Sequence, residues 1–167
     1  MRRFILIFLI VLGGSSFAGQ DPYGLKGKIK LNPRKHYPNG VNLVVLGPIG
    51  MGGITYDYFI VPKFAVEGGL GIQPDFQHLG FTVGGRYHFF GNTPLRLTPY
   101  LGVYTAFGAY EGNNFQNYSV YIPVGLNRIK KNLSVSLEVG YRQLVGVKGG
   151  FYGSLKIGPR WKVFKKK

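Results

Sequence analysis

The chain of 167 residues has a net charge of +15 and contains no cysteine, which excludes disulfide bonds, thiolate metal sites and cysteine nucleophiles. A basic balance is typical of nucleic-acid-binding proteins. We expect no nucleic-acid partner here, because the hydrophobic leader described next directs the chain away from nucleic acid.

The first residues have the three parts of a secretory signal peptide. Arg2 and Arg3 precede an apolar run from Phe4 to Leu12, and small residues then lead to Ser16-Phe17-Ala18. The apolar run is well short of the roughly 20 residues that a transmembrane helix needs. We therefore predict a signal peptide over residues 1–18, which leaves a mature chain of about 150 residues, enough for one domain.

A basic, proline-containing segment follows over residues 19–39, and we predict it to be mostly irregular and periplasmic. From residue 40 onward a two-residue alternation recurs about eight times. In each segment one parity is apolar or aromatic, while the other carries Gly, Ser, Thr and nearly all of the charge. The predicted strands cover Val41–Leu46, Gly53–Ile60, Phe64–Ile72, residues 78–89, Leu95–Phe107, and residues 118–127, 133–142 and 151–163.

The lengths of these segments favour a membrane protein over a soluble one. Most of them have about nine or more residues, which a tilted strand needs to cross a bilayer, whereas soluble strands usually have five or six. Their connectors include tight turns, and short turns are typical of the periplasmic side of outer-membrane barrels. We therefore predict both termini in the periplasm, with tight turns at Val61-Pro62-Lys63, Gly91-Asn92-Thr93-Pro94 and Lys130-Lys131-Asn132.

Charged residues inside the predicted strands all lie on the parity opposite to the apolar one. A Lys or Arg that faces lipid at the bilayer midplane costs roughly 2–4 kcal/mol, so this sorting indicates an apolar face toward lipid and an enclosed polar face. Arg128 breaks the rule at a strand end, where snorkelling makes the charge inexpensive. The predicted inward charges are Asp57, Glu67, Arg86, Arg96, Glu138, Arg142, Lys156, Arg160 and Lys162.

An eight-stranded barrel encloses a lumen that side chains just fill. We therefore interpret the first eight of these charges as a packed polar network, in which paired buried charges are tolerable. A narrow ion or proton path is the alternative. The outward aromatic residues fit the girdles at the two membrane interfaces, and they are Tyr56, Tyr58, Tyr87, Phe89, Tyr118, Tyr141, Phe151 and Trp161.

The stretch from Val41 to Phe164 resembles the eight-stranded outer-membrane β-barrel proteins of Gram-negative bacteria. It is most similar to the OmpA/OmpX/OmpW-like barrel domains common in the Bacteroidota, through Tyr121-Ile122-Pro123-Val124-Gly125-Leu126-Asn127 and Leu137-Glu138-Val139-Gly140-Tyr141-Arg142. The resemblance implies insertion by the barrel-assembly machinery, whose signal is similar to the pattern Lys156, Gly158, Trp161 and Val163. Family members usually stop at an aromatic residue, whereas Phe164 is followed by the basic tail 165–167.

The predicted fold is thus all-β: an eight-stranded, antiparallel, up-and-down transmembrane β-barrel with short turns, over residues 40–164 and monomeric. No catalytic arrangement is indicated, because His36 lies in the lead-in and His78 and His88 are ten positions apart on one strand. No His, Asp and Glu cluster has metal-ligand spacing, so we expect neither an enzyme nor a cofactor or metal.

Three functions follow from this interpretation. The first is an integral outer-membrane barrel with a structural or surface-interaction role; the others are a narrow pore or small-solute conduit, and a soluble secreted ligand-binding barrel. Besides outer-membrane lipid, we expect the periplasmic rim to contact anionic head groups or acidic cell-wall polymer. The rim cations are Lys63, Arg128, Lys130, Lys131 and Lys165 to Lys167.

Overall fold

In the computed structural model, the described residues are 31–47, 49–72, 79–109, 117–144 and 149–162. They form one short helix, α1, over Pro33–His36, and eight strands. The strands are β1 Asn39–Val45, β2 Gly52–Val61, β3 Phe64–Ile72, β4 Leu79–His88, β5 Leu97–Ala109, β6 Asn117–Lys130, β7 Leu133–Leu144 and β8 Gly150–Trp161. The predicted signal peptide, residues 19–30, His78, Val163 and the tail 165–167 lie outside the described residues.

The eight described strands close into a barrel in sequence order. Each strand pairs with the next one along the chain, and β8 returns to pair with β1, all antiparallel. At the closing seam Gly40 lies opposite Arg160, and Leu43 lies opposite Ile157. The predicted all-β, eight-stranded antiparallel barrel is confirmed. Closure gives every strand a hydrogen-bonded neighbour on both sides, so the sheet has no free edge.

The apolar parity of the strands faces outward and the polar parity faces inward. Leu79 is 54% exposed and Ile157 is 41% exposed, whereas Arg86, Glu138 and Arg160 are at most 2% exposed. A soluble barrel has the opposite arrangement, with its apolar side chains buried. Because the polar parity points inward, the lumen contains the polar and charged side chains of the strands.

Tight connections lie together at one end of the barrel. Two residues join β2 to β3, two join β6 to β7, and the segment between β4 and β5 is longer. The start of β1 and the end of β8 lie at this same end, which we call the turn end. The opposite end, where β1 leads into β2 and β7 into β8, is the loop end.

Helix α1 forms because its first turn is capped. The Asn32 side chain accepts a hydrogen bond from the Arg34 backbone N–H at 3.0 Å, and Pro33 occupies the first helical position. The helix ends at His36, and the N–H of the following Tyr37 bonds to the Pro33 carbonyl at 2.9 Å. The predicted irregular segment therefore contains a helical turn close to the start of β1. No helix of the described residues is long and apolar enough to cross a bilayer.

Most strand boundaries differ from the prediction by one to three residues, because pairing continues or stops independently of the alternation. Strand β6 extends to Lys130, since Arg128 and Lys130 pair with Val135 and Leu133 of β7. Strand β5 begins at Leu97 rather than at Leu95. Around this end of the lumen, Phe59, Ala65 and Ile129 form a small buried apolar cluster.

Candidate functional site

The centre of the lumen holds three buried carboxylates from three strands. Asp57 on β2, Glu67 on β3 and Glu138 on β7 each occupy an inward position, and each is at most 2% exposed. Ionised carboxylates are tolerated inside a protein when cations and hydrogen-bond donors surround them. All three have such partners here.

Three cations link these carboxylates into one alternating sequence of charges. Arg160 Nη1 lies 2.8 Å from Asp57 Oδ2, and Arg86 Nη2 lies 3.1 Å from the same oxygen. Arg86 Nε is 3.3 Å from Glu67 Oε2, and Lys156 Nζ is 2.8 Å from Glu67 Oε1 and 3.2 Å from Glu138 Oε1. We call this series the ion chain; it consists of Arg160, Asp57, Arg86, Glu67, Lys156 and Glu138. It ties β2, β3, β4, β7 and β8 together across the lumen.

Neutral donors complete the surroundings of the carboxylates. Tyr100 Oη donates to Glu138 Oε2 at 2.6 Å, and Tyr104 Oη donates to Glu67 Oε2 at 3.0 Å. Asn42 Nδ2 donates to Asp57 Oδ1 at 2.7 Å. Each carboxylate thus accepts a hydrogen bond from an uncharged side chain as well as facing a cation, which is the arrangement that offsets desolvation of a buried charge.

Aromatic rings fill the space beside the cations. The Arg86 guanidinium lies 5.3 Å from the centre of the Tyr100 ring, and Lys156 Nζ lies 4.8 Å from the centre of the Tyr104 ring. These distances are within the range of cation–π attraction. The Tyr100 ring fits because Gly125 faces it: a Cβ at Gly125 would stand 2.8 Å from the Tyr100 hydroxyl oxygen. The described part of the lumen is therefore a packed polar core.

Helix α1 places a fourth buried cation at the turn end. Arg34 is 0% exposed; its Nη2 donates to Thr98 Oγ1 at 2.6 Å and its Nη1 donates to the Leu95 carbonyl at 2.9 Å. Burial, together with the nearby Arg160 and Arg86 guanidiniums, lowers the pKa of Arg34 to about 10. The side chain is still a cation at neutral pH.

The residues around α1 bond directly to the barrel wall. Arg160 Nε donates to the Tyr37 carbonyl at 2.9 Å, and its Nη2 donates to the Pro38 carbonyl at 2.7 Å. Asn32 Nδ2 donates to the Gly91 carbonyl at 2.7 Å. Arg160 thus contacts both the ion chain and the segment that follows α1, and the buried Arg34 side chain of α1 lies against Thr98 at the turn end of the lumen. Sequence reasoning missed this contact, although Asn32-Pro33 is a recognisable helix start.

The structure places the nine predicted inward charges in three groups. Asp57, Glu67, Arg86, Glu138, Lys156 and Arg160 form the ion chain. Arg142 lies near the loop end, half-buried, where its Nε donates to Ser119 Oγ at 2.8 Å and its guanidinium lies 6.0 Å from the Tyr152 ring. The remaining two, Arg96 and Lys162, need correction.

Arg96 and Lys162 do not face the lumen. Both are exposed, Arg96 just before β5 and Lys162 just after β8. The alternation of a strand determines which way a side chain points only while the backbone stays extended and paired. Outside those limits the predicted parity had no physical basis, and both side chains are exposed at the turn end.

The predicted assembly signal lies on β8. Gly158 faces inward opposite Ser134, and Lys156 belongs to the ion chain. Trp161 lies at the end of the strand, with its ring centre 6.3 Å from that of Tyr56. The role of these residues in assembly stays a prediction.

His88 is buried between the rings of Phe59 and Tyr100, at centre distances of 5.0 and 5.2 Å. Its Nδ1 shares a hydrogen bond with Thr98 Oγ1 at 3.1 Å. Within the described ranges no three His, Asp or Glu residues are grouped so that they hold a metal ion. The chemistry of this lumen is the pairing of fixed charges.

Among solved structures, the barrel is similar to the N-terminal β-barrel domain of Pseudomonas aeruginosa OprF, known from a crystal structure. The superposition has a TM-score of 0.60 and covers 75% of this chain and 98% of that domain, with 17% sequence identity. At this identity the likeness shows the shared fold. No protein-family model matches the sequence, and no curated protein matches it.

Proposed function

We propose that the protein is an integral outer-membrane β-barrel with a structural or surface-interaction role and no catalytic activity. The observation that carries this proposal is the direction of the side chains. Every strand presents at least one outward aliphatic residue that is between 41% and 59% exposed: Leu43, Ile54, Leu70, Val83, Val103, Val124, Val139 and Ile157. An apolar surface that encircles the whole barrel is unfavourable in water and is the surface that hydrocarbon requires.

The soluble ligand-binding alternative does not account for the lumen. A soluble barrel that binds a small apolar ligand has an apolar interior and a charged exterior, whereas here six ion-chain residues fill the interior. The test is extraction of bacterial membranes. We expect the protein in the outer-membrane fraction and released only by detergent; recovery in the soluble fraction would contradict the proposal.

We further propose that the barrel does not conduct. The ion chain crosses the lumen, and the turn end holds the buried Arg34 of α1 together with the Tyr37 and Pro38 carbonyls that accept hydrogen bonds from Arg160. An ion that passed would have to displace paired charges whose separation is costly at low dielectric. The packed lumen therefore favours the structural role over the narrow pore.

Planar-bilayer recording separates these two functions. We expect the folded mature protein to give no unitary conductance steps, and steps in the wild type would favour the pore. The control is recovery of folded, heat-modifiable protein from vesicles of the same lipid, which shows that silence is not failed insertion. A second control is the variant Lys156→Ala. It interrupts the ion chain, because it removes the lysine that pairs with both Glu67 and Glu138.

Within this proposal the chain is a small monomeric barrel of the type found in the Bacteroidota. The signal peptide over residues 1–18 exports it, the turn end lies in the periplasm, and the barrel-assembly machinery reads Lys156, Gly158, Trp161 and Val163. The leader sequence supports export, the β6–β7 sequence supports the barrel type, and the orientation rule for short turns supports a periplasmic turn end.

A further inference from the structure

The charges of the described residues are sorted by sign as well as by position. Their carboxylates, Asp57, Glu67 and Glu138, are all buried in the lumen. The exposed cations all lie at the turn end, and within the described ranges no carboxylate is exposed beside them; they are Lys35, Arg96, Arg128, Lys130, Lys131 and Lys162. The outer surface at this end therefore carries a positive charge that the described protein does not neutralise.

Three of these cations belong to neighbouring backbone segments at the turn end of β5 to β7. Arg128 and Lys130 occupy outward positions within β6, where Arg128 lies opposite Leu97 of β5 and Lys130 opposite Leu133 of β7. The backbone of Arg96 lies next to this stretch, since its carbonyl accepts a hydrogen bond of 2.7 Å from the N–H of Ile129, and the Arg96 side chain is exposed at the same end. We call Arg96, Arg128 and Lys130 the β6 cation cluster.

The cluster occupies a place that aromatic residues hold elsewhere on the barrel. At the turn end of β3, β4 and β8 the outward residues are Phe64, Tyr87 and Trp161, and the ring centres of Tyr87 and Phe89 are 5.6 Å apart. The outward residues at the same end of β5 to β7 are aliphatic or basic. The interfacial girdle thus changes from aromatic to cationic on this side.

The position of the cluster favours a lipid head group over a soluble polymer. Arg128 and Lys130 lie on the parity that faces hydrocarbon, in line with the exposed Val124 four residues before Arg128. A cation at the border of an apolar surface extends to the phosphate level of the bilayer. Lys35, Lys63 and Lys131, by contrast, lie on α1 or in turns beyond the strands.

We propose that Arg96, Arg128 and Lys130 bind the phosphate of an anionic phospholipid in the leaflet that surrounds the turn end. This inference rests on the proposed membrane location. The cluster would give the barrel a fixed contact with an anionic lipid on the side of β5 to β7. The aromatic side, at β3, β4 and β8, would contact phospholipids without preference for their charge.

The experiment measures lipid preference at the surface of the folded protein. The mature chain is reconstituted in phosphatidylcholine vesicles that contain either spin-labelled phosphatidylglycerol or spin-labelled phosphatidylcholine, and the immobilised fraction of each label is compared at low and high salt. We expect a several-fold preference for phosphatidylglycerol that falls as salt screens the charges. Equal association of the two labels at low salt would overturn the inference.

Two triple variants with the same change in charge locate the preference. Arg96→Gln/Arg128→Gln/Lys130→Gln removes the cluster, and we expect it to reduce the preference to near that for phosphatidylcholine. Lys35→Gln/Lys63→Gln/Lys131→Gln removes three cations from the same end, and we expect it to keep most of the preference. Equal loss in both variants would show a diffuse ring of charge and overturn the assignment to the cluster.

Two further measurements distinguish a lipid site from a polymer-binding surface and from failed insertion. Competition by soluble polyglutamate that abolishes the preference would indicate a polymer-binding surface and contradict the lipid site. Insertion is followed separately by the emission of Trp161, the chain's one tryptophan. Failure to insert would contradict the membrane proposal, whereas insertion without lipid preference would contradict only this inference.

Discussion

Glu67 lies within the ion chain between two different cations, Arg86 and Lys156. Arg86 approaches one of its carboxylate oxygens and Lys156 the other, while Tyr104 donates a hydrogen bond to the first. Replacing a buried pair with apolar residues is often neutral, but removing one partner leaves an uncompensated charge in a medium of low dielectric. Lys156 is the critical partner, because it neutralises Glu67 and Glu138 together.

We predict that Lys156→Met lowers the free energy of unfolding by roughly 3–5 kcal/mol, because two buried carboxylates lose their shared cation. The measurement is reversible urea unfolding of the protein folded into vesicles. Lys130→Met removes the same charge from an exposed position and should change stability by only about 0.5 kcal/mol. Similar losses in the two variants would show that the ion chain is not a buried network.

Residue-level prediction from the sequence succeeded where a charge lies inside a paired strand and failed at the ends. The parity of β2, β3, β4, β7 and β8 placed all six ion-chain residues in one enclosed space, because the pleat alternates side chains while regular pairing continues. Arg96 was misplaced since its strand had not yet begun. Arg34 was missed because a helix of four residues is too short to leave a period in the sequence.

At the level of elements, β8 is the strand that closes the barrel. Gly158 faces inward beside β1, and a Cβ there would clash with the Val41 carbonyl oxygen and stand 2.7 Å from the Asn42 Cα. Backbone atoms do not give way as the end of a flexible side chain does. A side chain at Gly158 would therefore push β1 and β8 apart at the seam.

We predict that Gly158→Ala slows folding into vesicles and lowers the stability of the folded barrel. The matched control is Gly153→Ala on the same strand, where the nearest heavy atom to an added Cβ is the Glu138 carbonyl oxygen at 3.8 Å. Folding is followed by the change in gel mobility between folded and heated protein. Indistinguishable folding of the two variants would contradict the packing argument.

The same pair of variants tests the predicted assembly signal. Purified protein folds into vesicles without the assembly machinery, so a defect of Gly158→Ala in vitro reports packing at the seam. A variant that folds normally in vitro but fails to reach the outer membrane in cells would instead indicate that Gly158 is read as a signal.

At the scale of the whole molecule, we propose that the apolar outer face of the barrel contacts hydrocarbon. Val139 lies within β7 and is 49% exposed, whereas Leu133 is the first residue of the same strand and is 45% exposed. The two positions have similar exposure and differ in depth. They therefore separate the effect of a membrane from that of exposure alone.

We predict that Val139→Arg lowers the free energy of unfolding by roughly 2–4 kcal/mol, while Leu133→Arg lowers it by about 0–1 kcal/mol, because the cost of a charge on the lipid face depends on depth. The measurement is again urea unfolding in vesicles. If water bathed this surface, both changes would fall within about 0.5 kcal/mol of each other, and that result would contradict the membrane assignment.

The sequence by itself determined the fold class, the number of strands and the side on which each strand charge lies. These properties depend on a local pattern, the two-residue alternation of apolar and polar residues, which is present in every strand segment. Only the tertiary structure decided which charges meet, where β5 and β6 begin and end, and that Arg34 enters the turn end beside Arg160. Those facts depend on register and closure, which bring together residues as distant in the chain as Asp57 and Arg160, and no local pattern encodes such distances.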